Sequence, residues 1–216
     1  MPVTVLIADD HAVVRDGLRA ILEGSGLVRV VGVAGSGREV LDQARTLRPQ
    51  VVLMDIAMPD LNGIEATERL RRALPEVQVV VLSMHATSEH VFRALAAGAR
   101  GYLVKESAGS EVVAAVQAVA AGRRYLSPGI AEQVVNGYLR GDAARHESPL
   151  DRLSERERDV VQHVVEGKSS AEIARLLHLS PKTVDTYRSR AMAKLGVEDL
   201  AGLVRFALEH GITPLR

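Results

Sequence analysis

Short apolar runs alternate with longer segments of helical periodicity over the first 125 or so residues. Continuous runs rich in Val, Ile and Leu are typical of strands buried on both faces of a parallel sheet. The segments between them carry helix start and stop signals, such as Ser36 with Glu39 and the later Gly98. The pattern predicts five strands, each followed by a helix, at Val3–Ala8, Val28–Ala34, 51–54, 77–82 and Gly101–Val104.

From residue 150 onward the apolar positions follow a helical period, with no β-branched strand run. Ser154 with Glu157 predicts a capping box, and Ser180-Pro181 places a cap before a proline at the first helical position. The two central helices are separated by a turn short enough for a helix-turn-helix. The predicted helices span about 155–166, 170–177, 181–195 and 199–209.

These two patterns predict two domains. The first is an α/β domain, a (βα)5 doubly wound parallel sheet, at residues 1–122. The second, at 150–216, is a small all-α helix-turn-helix domain. Residues 123–149 are predicted to connect them, with a helix over 128–139 that starts at Ser127-Pro128 and then a short, polar, unpatterned stretch.

Composition narrows the class of protein further. The 216 residues contain no cysteine, which excludes disulfides and thiol catalysis, and no apolar run approaches the ~20 residues of a membrane span. A cytoplasmic protein without a membrane partner is expected. The 27 basic and 27 acidic residues cancel. The stretch from Lys168 to Lys194, however, holds six basic residues and two acidic ones, so an anionic partner is expected there.

Polar residues stand at the ends of four predicted strands. Asp9 and Asp10 follow the first strand, Asp55 follows the third, Ser83 the fourth and Lys105 the fifth. In a doubly wound sheet the ligand site lies at these carboxyl ends. An aspartate at a strand end also commonly caps the next helix. Three converging carboxylates, however, repel one another unless a cation joins them, and their hard oxygen atoms suit Mg²⁺.

The order IADDH, MDIAMPDLNG, VLSMHA and GYLVK resembles the receiver domain of response regulators over residues 1–122. The resemblance implies that Asp55 is the phosphoacceptor, which attacks a phosphohistidine of a sensor histidine kinase. It further implies that Asp10, Asp55 and the Ala57 carbonyl hold Mg²⁺, with Asp9 acting mostly through water. Lys105 would add a second cation beside the phosphoryl group.

Ser83 and Tyr102 match the switch pair of the receiver family, in which the hydroxyl moves to the phosphoryl group and the aromatic ring fills the space it leaves. The alternative for Tyr102 is an ordinary core aromatic. Ala57 departs from the family, because many relatives carry Asn or another polar residue there to orient the hydrolytic water. The lifetime of the phosphoryl group is therefore open, with His85 either taking that duty or lying solvated in a loop.

The predicted helix 181–195 has an apolar face that includes Val184, Ala191 and Leu195 and an opposite face of small, polar or cationic residues. Such a face suits a DNA major groove, or is simply solvated. The sequence LSERERDVVQHVVEGKSSAEIARLLHLSPKTVDTYRSRAMAKLGV resembles the LuxR-type domain over about 150–211 and, with the receiver, the NarL/FixJ family. The resemblance implies phosphate contacts by Lys182, Thr183, Arg190 and Lys194, and base-edge contacts by Asp185, Thr186 and Ser189.

Asp185 either accepts a hydrogen bond from a cytosine amine or discourages nonspecific binding. The last helix is rich in apolar residues, which either form a homodimer interface, as the resemblance implies, or pack internally; they are Leu200, Leu203, Val204, Ala207 and Leu208.

The sequence therefore predicts a transcription factor rather than an enzyme, one that slowly hydrolyses its own aspartyl phosphate. In the family's usual mechanism, phosphorylation releases the recognition helix and favours dimers on promoter DNA, with RNA polymerase as a further partner.

Two rival functions are weighed against this one. Phosphatases of the haloacid dehalogenase type place Asp-x-Asp after the first strand, whereas Asp9 and Asp10 are adjacent here and Asp55 is on the third strand. The other rival is a constitutive DNA-binding protein whose receiver serves only dimerisation.

Overall fold

The structure is a computed structural model that describes residues 1–84, 87–139, 149–210 and 212. The chain divides into two compact units, Met1–His146 and Glu147–Arg216. The finer boundaries at residues 122 and 149 remain predictions, and the polar stretch 140–148 lies outside the described residues. None of the described helices is long and apolar enough to cross a membrane.

The N-terminal unit is a parallel sheet flanked by helices, as predicted. Among the described residues the strands run in the order β2-β1-β3-β4-β5-β6. The chain reverses direction across the sheet between β1 and β3, which makes their carboxyl ends the expected ligand site. The elements are β1 (Val3–Ala8), α1 (Ala12–Gly24), β2 (Val28–Ala34), α2 (Gly37–Leu47), β3 (Val51–Asp55), α3 (Gly63–Ala73), β4 (Gln78–Ser83), α4 (Ser88–Ala97), β5 (Gly101–Val104), α5 (Ala108–Ala120), β6 (Tyr125–Leu126) and α6 (Pro128–Leu139).

Both faces of the sheet are apolar, which explains the unbroken hydrophobic runs. Every residue of β3 is buried. Val52 and Met54 belong to one apolar cluster, and Val51 and Leu53 belong to a second. Because successive side chains of a strand point to opposite faces, each cluster lies on its own side of the sheet.

Strand β6 was not predicted, so the five-strand interpretation was one strand short. It pairs in parallel with β5, through Gly101 opposite Tyr125 and Tyr102 opposite Leu126. Two residues are too few to show an alternating pattern, and the strand exists because its backbone completes hydrogen bonds at the edge of the sheet. The helix predicted over 128–139 is present as α6.

Glu111 of α5 fastens β6 and the start of α6 to the sheet. Its Oε2 accepts hydrogen bonds from the Tyr125 hydroxyl at 3.2 Å and from Ser127 Oγ at 2.8 Å. The backbone amide of Ser127 donates to the carbonyl of Tyr102 at 3.0 Å. Ile130 of α6 and Tyr102 are both buried in the same apolar cluster. The segment after the predicted receiver is therefore attached directly to β5.

The C-terminal unit is helical, and the caps predicted at Ser154 and Ser180 are present. Ser154 with Glu157 and Ser169 with Glu172 form reciprocal capping boxes. Ser180 accepts a hydrogen bond from the amide of Thr183. A short 3-10 turn at Pro149–Arg152 precedes the helices. They are α7 (Glu155–Val165), α8 (Ser170–Leu177), α9 (Pro181–Leu195) and α10 (Leu200–Glu209).

The Glu111 contacts give a stability prediction. We expect Glu111→Ala to lower the free energy of unfolding of the N-terminal unit by about 1–2 kcal/mol, because two hydrogen bonds to a carboxylate are lost. Urea unfolding followed by circular dichroism measures this. Glu132→Ala, which removes an exposed carboxylate on α6, is the matched control and should change the unfolding free energy little. Equal effects of the two substitutions would contradict the assignment.

Candidate functional site

Side chains at the ends of three strands form an ion-pair cluster at one edge of the sheet. Asp9 directly follows β1, Asp55 is the last residue of β3, and Lys105 directly follows β5. Lys105 Nζ lies 2.7 Å from Asp9 Oδ2 and 3.0 Å from Asp55 Oδ1. Both carboxylates are buried, with Asp9 0% and Asp55 3% exposed. The ammonium group thus joins two buried carboxylates of different strands.

His11 extends this cluster and was not singled out from the sequence. Its backbone amide donates to Asp9 Oδ1 at 2.8 Å. Its ring Nδ1 lies 2.7 Å from Asp10 Oδ1 and 3.3 Å from Asp9 Oδ1. One ligand atom from each of Asp9, Asp10 and His11 lies within 4.8 Å of the others. The signal that was available is the position of His11, directly after the acidic pair at the start of α1.

Burial dominates the electrostatics of Asp55. It raises the pKa of the Asp55 carboxyl from 3.8 to about 6; Lys105 acts to lower this pKa, and Asp9 and Asp10 act to raise it. Burial acts to lower the pKa of Lys105, but Asp55 and Asp9 together raise it above 10.5. Lys105 therefore stays protonated, while further positive charge near Asp55 would favour its ionised form.

The donor set fits a hard divalent cation. Asp9, Asp10 and Asp55 offer carboxylate oxygens, the ligands that Mg²⁺ prefers, and Lys105 offsets one of the three charges. Ala57 lies in the loop after β3, where Met58 and Gly63 donate backbone hydrogen bonds to the Ile56 carbonyl. The role of the Ala57 carbonyl as a ligand remains a prediction.

Close packing of α3 fixes the backbone of Asp55. A Cβ atom added at Gly63 would lie 1.9 Å from the Asp55 carbonyl oxygen, so a side chain at that position is excluded. Asn62 caps the same helix by accepting from the Glu65 amide at 3.0 Å. The glycine after Asn62 is therefore required where α3 packs against the end of β3.

The two predicted switch residues are in contact. Ser83 and Tyr102 are 2% and 0% exposed. Burial raises the pKa of Tyr102 to about 12, although a hydrogen bond with the Ser83 side chain acts to lower it. In this structure the Tyr102 ring is therefore buried in the core, and its hydroxyl is hydrogen-bonded to the Ser83 side chain. His85, the alternative for orienting water, lies outside the described residues.

Helix α9 presents the predicted polar face. Val184 and Ala191 are fully buried, as expected of its apolar face, while Asp185, Thr186 and Ser189 are exposed. A shallow cleft along the helix is lined by Ser180, Lys182, Thr183, Thr186, Tyr187 and Arg190. Four of the predicted DNA-contacting residues thus line one accessible cleft: Lys182, Thr183, Thr186 and Arg190.

Asp185 has partners within the protein that sequence reasoning missed. Ser170 Oγ of α8 donates to Asp185 Oδ1 at 2.7 Å, and Arg188 Nη2 lies 3.2 Å from the same oxygen. The carboxylate therefore links the two helices of the helix-turn-helix. These contacts set the orientation of the Asp185 side chain.

Lys194 is also engaged within its own domain. Its Nζ lies 2.6 Å from Glu157 Oε2 of α7. The same carboxylate accepts from the Ser154 amide at 2.7 Å and from Ser154 Oγ at 3.0 Å. Glu157 is 3% exposed. Burial acts to raise its pKa, but the hydrogen bonds from Lys194 and Ser154 lower it below 4.5. Lys194 thus fastens the end of α9 to the start of α7.

A doubly wound sheet with a buried aspartate and lysine at its carboxyl edge, together with a helix-turn-helix, defines a response regulator. Comparison with known proteins agrees: residues 5–117 match the response regulator receiver domain, and residues 151–207 match the bacterial regulatory proteins of the luxR family.

Individual relatives match over nearly the whole chain. Transcriptional regulatory protein MctR of Rhizobium johnstonii is 41% identical over 210 residues, covering 97% of this chain and 95% of MctR. Response regulator GacA of Pseudomonas protegens is 41% identical over 210 residues, covering 97% of each chain. The structure of the RcsB response regulator of Salmonella typhimurium is similar with a TM-score of 0.66 at 27% identity, covering 97% of this chain and 98% of that one.

The chain therefore belongs to the NarL/FixJ family of two-component response regulators, with a receiver domain and a LuxR-type DNA-binding domain. Members of this family regulate transcription. The haloacid dehalogenase alternative thus has no support.

The contact between Lys194 and Glu157 gives a prediction about the C-terminal unit. We expect Lys194→Gln to lower its free energy of unfolding by about 1 kcal/mol at pH 7, since a buried carboxylate loses its charged partner and Lys194 itself is half-exposed. Chemical denaturation measures the loss, and Lys182→Gln, at the opposite end of α9, is the control.

The difference in unfolding free energy between the wild-type protein and Lys194→Gln is expected to change with pH in one direction. Because the pKa of Glu157 is lowered on folding, the stabilisation is present above 4.5 and is lost as the pH falls through the folded-state pKa. A difference between the wild-type protein and Lys194→Gln that grows toward acid pH would contradict the assignment.

Proposed function

We propose that this response regulator takes a phosphoryl group from a sensor histidine kinase onto Asp55 and thereby controls binding of its LuxR-type domain to promoter DNA. The observation that carries the proposal is the buried Asp55 carboxylate, 3.0 Å from Lys105 Nζ and beside Asp9 at the carboxyl edge of the sheet. A lysine paired with two buried carboxylates suits a site in which negative charge is added during the reaction.

Phosphotransfer forms one bond and breaks one. A carboxylate oxygen of Asp55 attacks phosphorus, the bond from phosphorus to the kinase imidazole nitrogen breaks, and the histidine leaves with a proton. Lys105 donates hydrogen bonds to the phosphoryl oxygens. Asp10, Asp55 and the Ala57 carbonyl would hold Mg²⁺, with Asp9 acting through water, and the ion would neutralise charge on the transferred group.

An apolar cleft beside the acidic site is where we place the kinase. It is lined mainly by one face of α1, by Leu82 of β4 and Met84 just after it, and by the start of α5. Ile21 and Met84 in its wall are 39% and 59% exposed, and Lys105 lines both the cleft and the phosphoacceptor site. Exposed apolar side chains at an active site are typical of a surface that docks a protein partner.

The readout of phosphorylation starts at Ser83 and Tyr102. The Ser83 hydroxyl moves to a phosphoryl oxygen, and the Tyr102 ring follows into the space that the hydroxyl leaves. Tyr102 is well placed to transmit this change, because its carbonyl accepts from the Ser127 amide at the start of α6. Its ring is buried in the same apolar cluster as Ile130 of that helix.

The phosphoryl group is lost by slow hydrolysis on the receiver itself. The methyl group of Ala57 offers no hydrogen bond to an attacking water, so we expect this side chain to make no contribution to hydrolysis. The protein acts as a switch rather than as an enzyme with turnover.

Binding to DNA is proposed to involve dimers joined through α10. Leu203 and Ala207 are fully buried in the domain's own core, so internal packing accounts for part of the apolar stripe. Val204 and Leu208 are half-buried, and Leu200 is 55% exposed. This remaining apolar surface supports the dimer. Two recognition helices would then meet two half-sites of a promoter, with RNA polymerase as a further partner.

Phosphorylation of Asp55 is directly testable. We expect acetyl phosphate with Mg²⁺ to label the wild-type chain, and Asp55→Asn to abolish the label because the amide is not a nucleophile for phosphorus. Electrophoresis in a phosphate-binding gel measures the label. Asp16→Asn, which changes an exposed carboxylate on α1, should label normally. Labelling of Asp55→Asn at the wild-type level would overturn the proposal.

The same samples test the control of DNA binding. Light scattering and binding to a duplex selected from a randomised library should both change when the phosphodonor is added to the wild-type chain, and not in Asp55→Asn. Equal mass and equal affinity with and without the donor would favour the constitutive DNA-binding alternative.

The recognition surface predicts a salt dependence. We expect Arg190→Gln to reduce the slope of log affinity against log salt concentration by about one, because one phosphate contact releases about one counterion. Arg29→Gln removes an exposed cation of β2 and should leave the slope unchanged. Fluorescence anisotropy with a labelled duplex over a range of salt measures both, and an unchanged slope for Arg190→Gln would place this side chain away from the phosphates.

A further inference from the structure

The imidazole of His11 reaches the carboxylates that form the cation site. Its Nδ1 lies 2.7 Å from Asp10 Oδ1 and 3.3 Å from Asp9 Oδ1. Asp9 is fully buried, whereas the side chain of His11 is 64% exposed and open to solvent. A nitrogen donor therefore stands at the outer side of a site whose other donors are oxygen atoms.

These distances suit ligands of one ion. Two donors that each lie about 2.1 Å from a cation and are a right angle apart are separated by about 3.0 Å. The distance of 2.7 Å from His11 Nδ1 to Asp10 Oδ1 is close to that value. One ligand atom from each of Asp9, Asp10 and His11 lies within 4.8 Å of the others, so Asp10 and His11 are able to bind one ion directly while Asp9 reaches it through water.

We infer that His11 is a specificity-determining donor of the cation site, one that favours transition-metal ions over Mg²⁺. The inference rests on the proposed function, since it concerns the cation that supports phosphorylation of Asp55. Mg²⁺ prefers oxygen ligands, so an imidazole nitrogen adds little to its binding affinity. The affinity of a nitrogen donor instead rises through the first-row divalent ions, from Mn²⁺ to Co²⁺.

A different role for His11 predicts a different result. The imidazole N–H is able to donate hydrogen bonds to the two carboxylates without binding the ion. It would then act on every cation alike, and a substitution at His11 would change the affinities for Mg²⁺, Mn²⁺ and Co²⁺ by similar factors. The two roles therefore predict different results for one substitution at His11. If the imidazole binds the ion, the loss of affinity grows from Mg²⁺ to Co²⁺; if it only donates hydrogen bonds, the change in affinity is the same for all three ions.

The test uses His11→Asn in the full chain, because the Asn amide keeps a hydrogen-bond donor and removes the imidazole nitrogen. Calorimetric titration with MgCl₂, MnCl₂ and CoCl₂ gives the three affinities. We expect the affinity for Mg²⁺ to change by less than about twofold, and the affinities for Mn²⁺ and Co²⁺ to fall by about threefold and about tenfold or more.

Two controls locate the effect. His178→Asn removes an exposed imidazole from the C-terminal unit, at a left-handed position that Asn accepts, and it should leave all three affinities unchanged. Asp10→Asn should weaken all three ions together. Electron spin-echo spectroscopy of bound Mn²⁺ should show coupling to an imidazole ¹⁴N in the wild-type chain and not in His11→Asn.

Equal changes for the three ions, or the absence of ¹⁴N coupling in the wild-type chain, would overturn the inference. If acetyl phosphate with Mg²⁺ still labels Asp55 in that case, the inference fails alone and the proposed function stands. Absence of both cation binding and labelling in the wild-type chain would overturn the two together.

Discussion

The contact of one ammonium group with two buried carboxylates is the interaction on which the N-terminal unit depends. Lys105 lies 2.7 Å from Asp9 and 3.0 Å from Asp55, and each group comes from a different strand end. Buried charges are costly unless they are paired, so the three strand ends must stay in register for the fold to be stable. The same pairing sets the state of Asp55, because Lys105 is the group that counteracts the effect of burial on the Asp55 carboxyl.

The ion pairs of Lys105 also affect parts of the receiver beyond the site, because they involve the end of β5. Lys105 directly follows this strand and Tyr102 lies within it, and the Tyr102 carbonyl accepts a hydrogen bond from the amide of Ser127, the residue before α6. A change in charge at Asp55 and a change in the packing of Tyr102 would therefore both affect the position of β5. β6 and Glu111 attach the start of α6 to β5. The segment that follows the receiver is therefore joined to the strand that precedes Lys105.

Much of the fold and the acidic site followed from the sequence because both depend on local patterns. Apolar runs determine buried strands, and parallel strands bring their carboxyl ends together, so Asp9, Asp55 and Lys105 were predicted without knowledge of distances. Strand β6 was missed because it depends on hydrogen bonds to β5 rather than on its own two residues. The partners of Asp185 and Lys194 were missed for a related reason, since Ser170 and Glu157 are distant in sequence and meet them only after the helices pack.

The contacts of Asp185 and Lys194 within the C-terminal unit also explain how a small helical domain keeps α9 in place. Helix α9 buries little apolar surface of its own, with Val184 and Ala191 as its buried residues. Polar contacts therefore supplement the packing at two points, Ser170 with Asp185 near its start and Glu157 with Lys194 at its end. Both partners belong to helices fixed by reciprocal capping boxes. The face between the two contacts, which carries Thr186, Ser189 and Arg190, is thus presented on a helix that is fixed at both ends, and side chains on a rigid element are positioned more precisely than side chains on a loop.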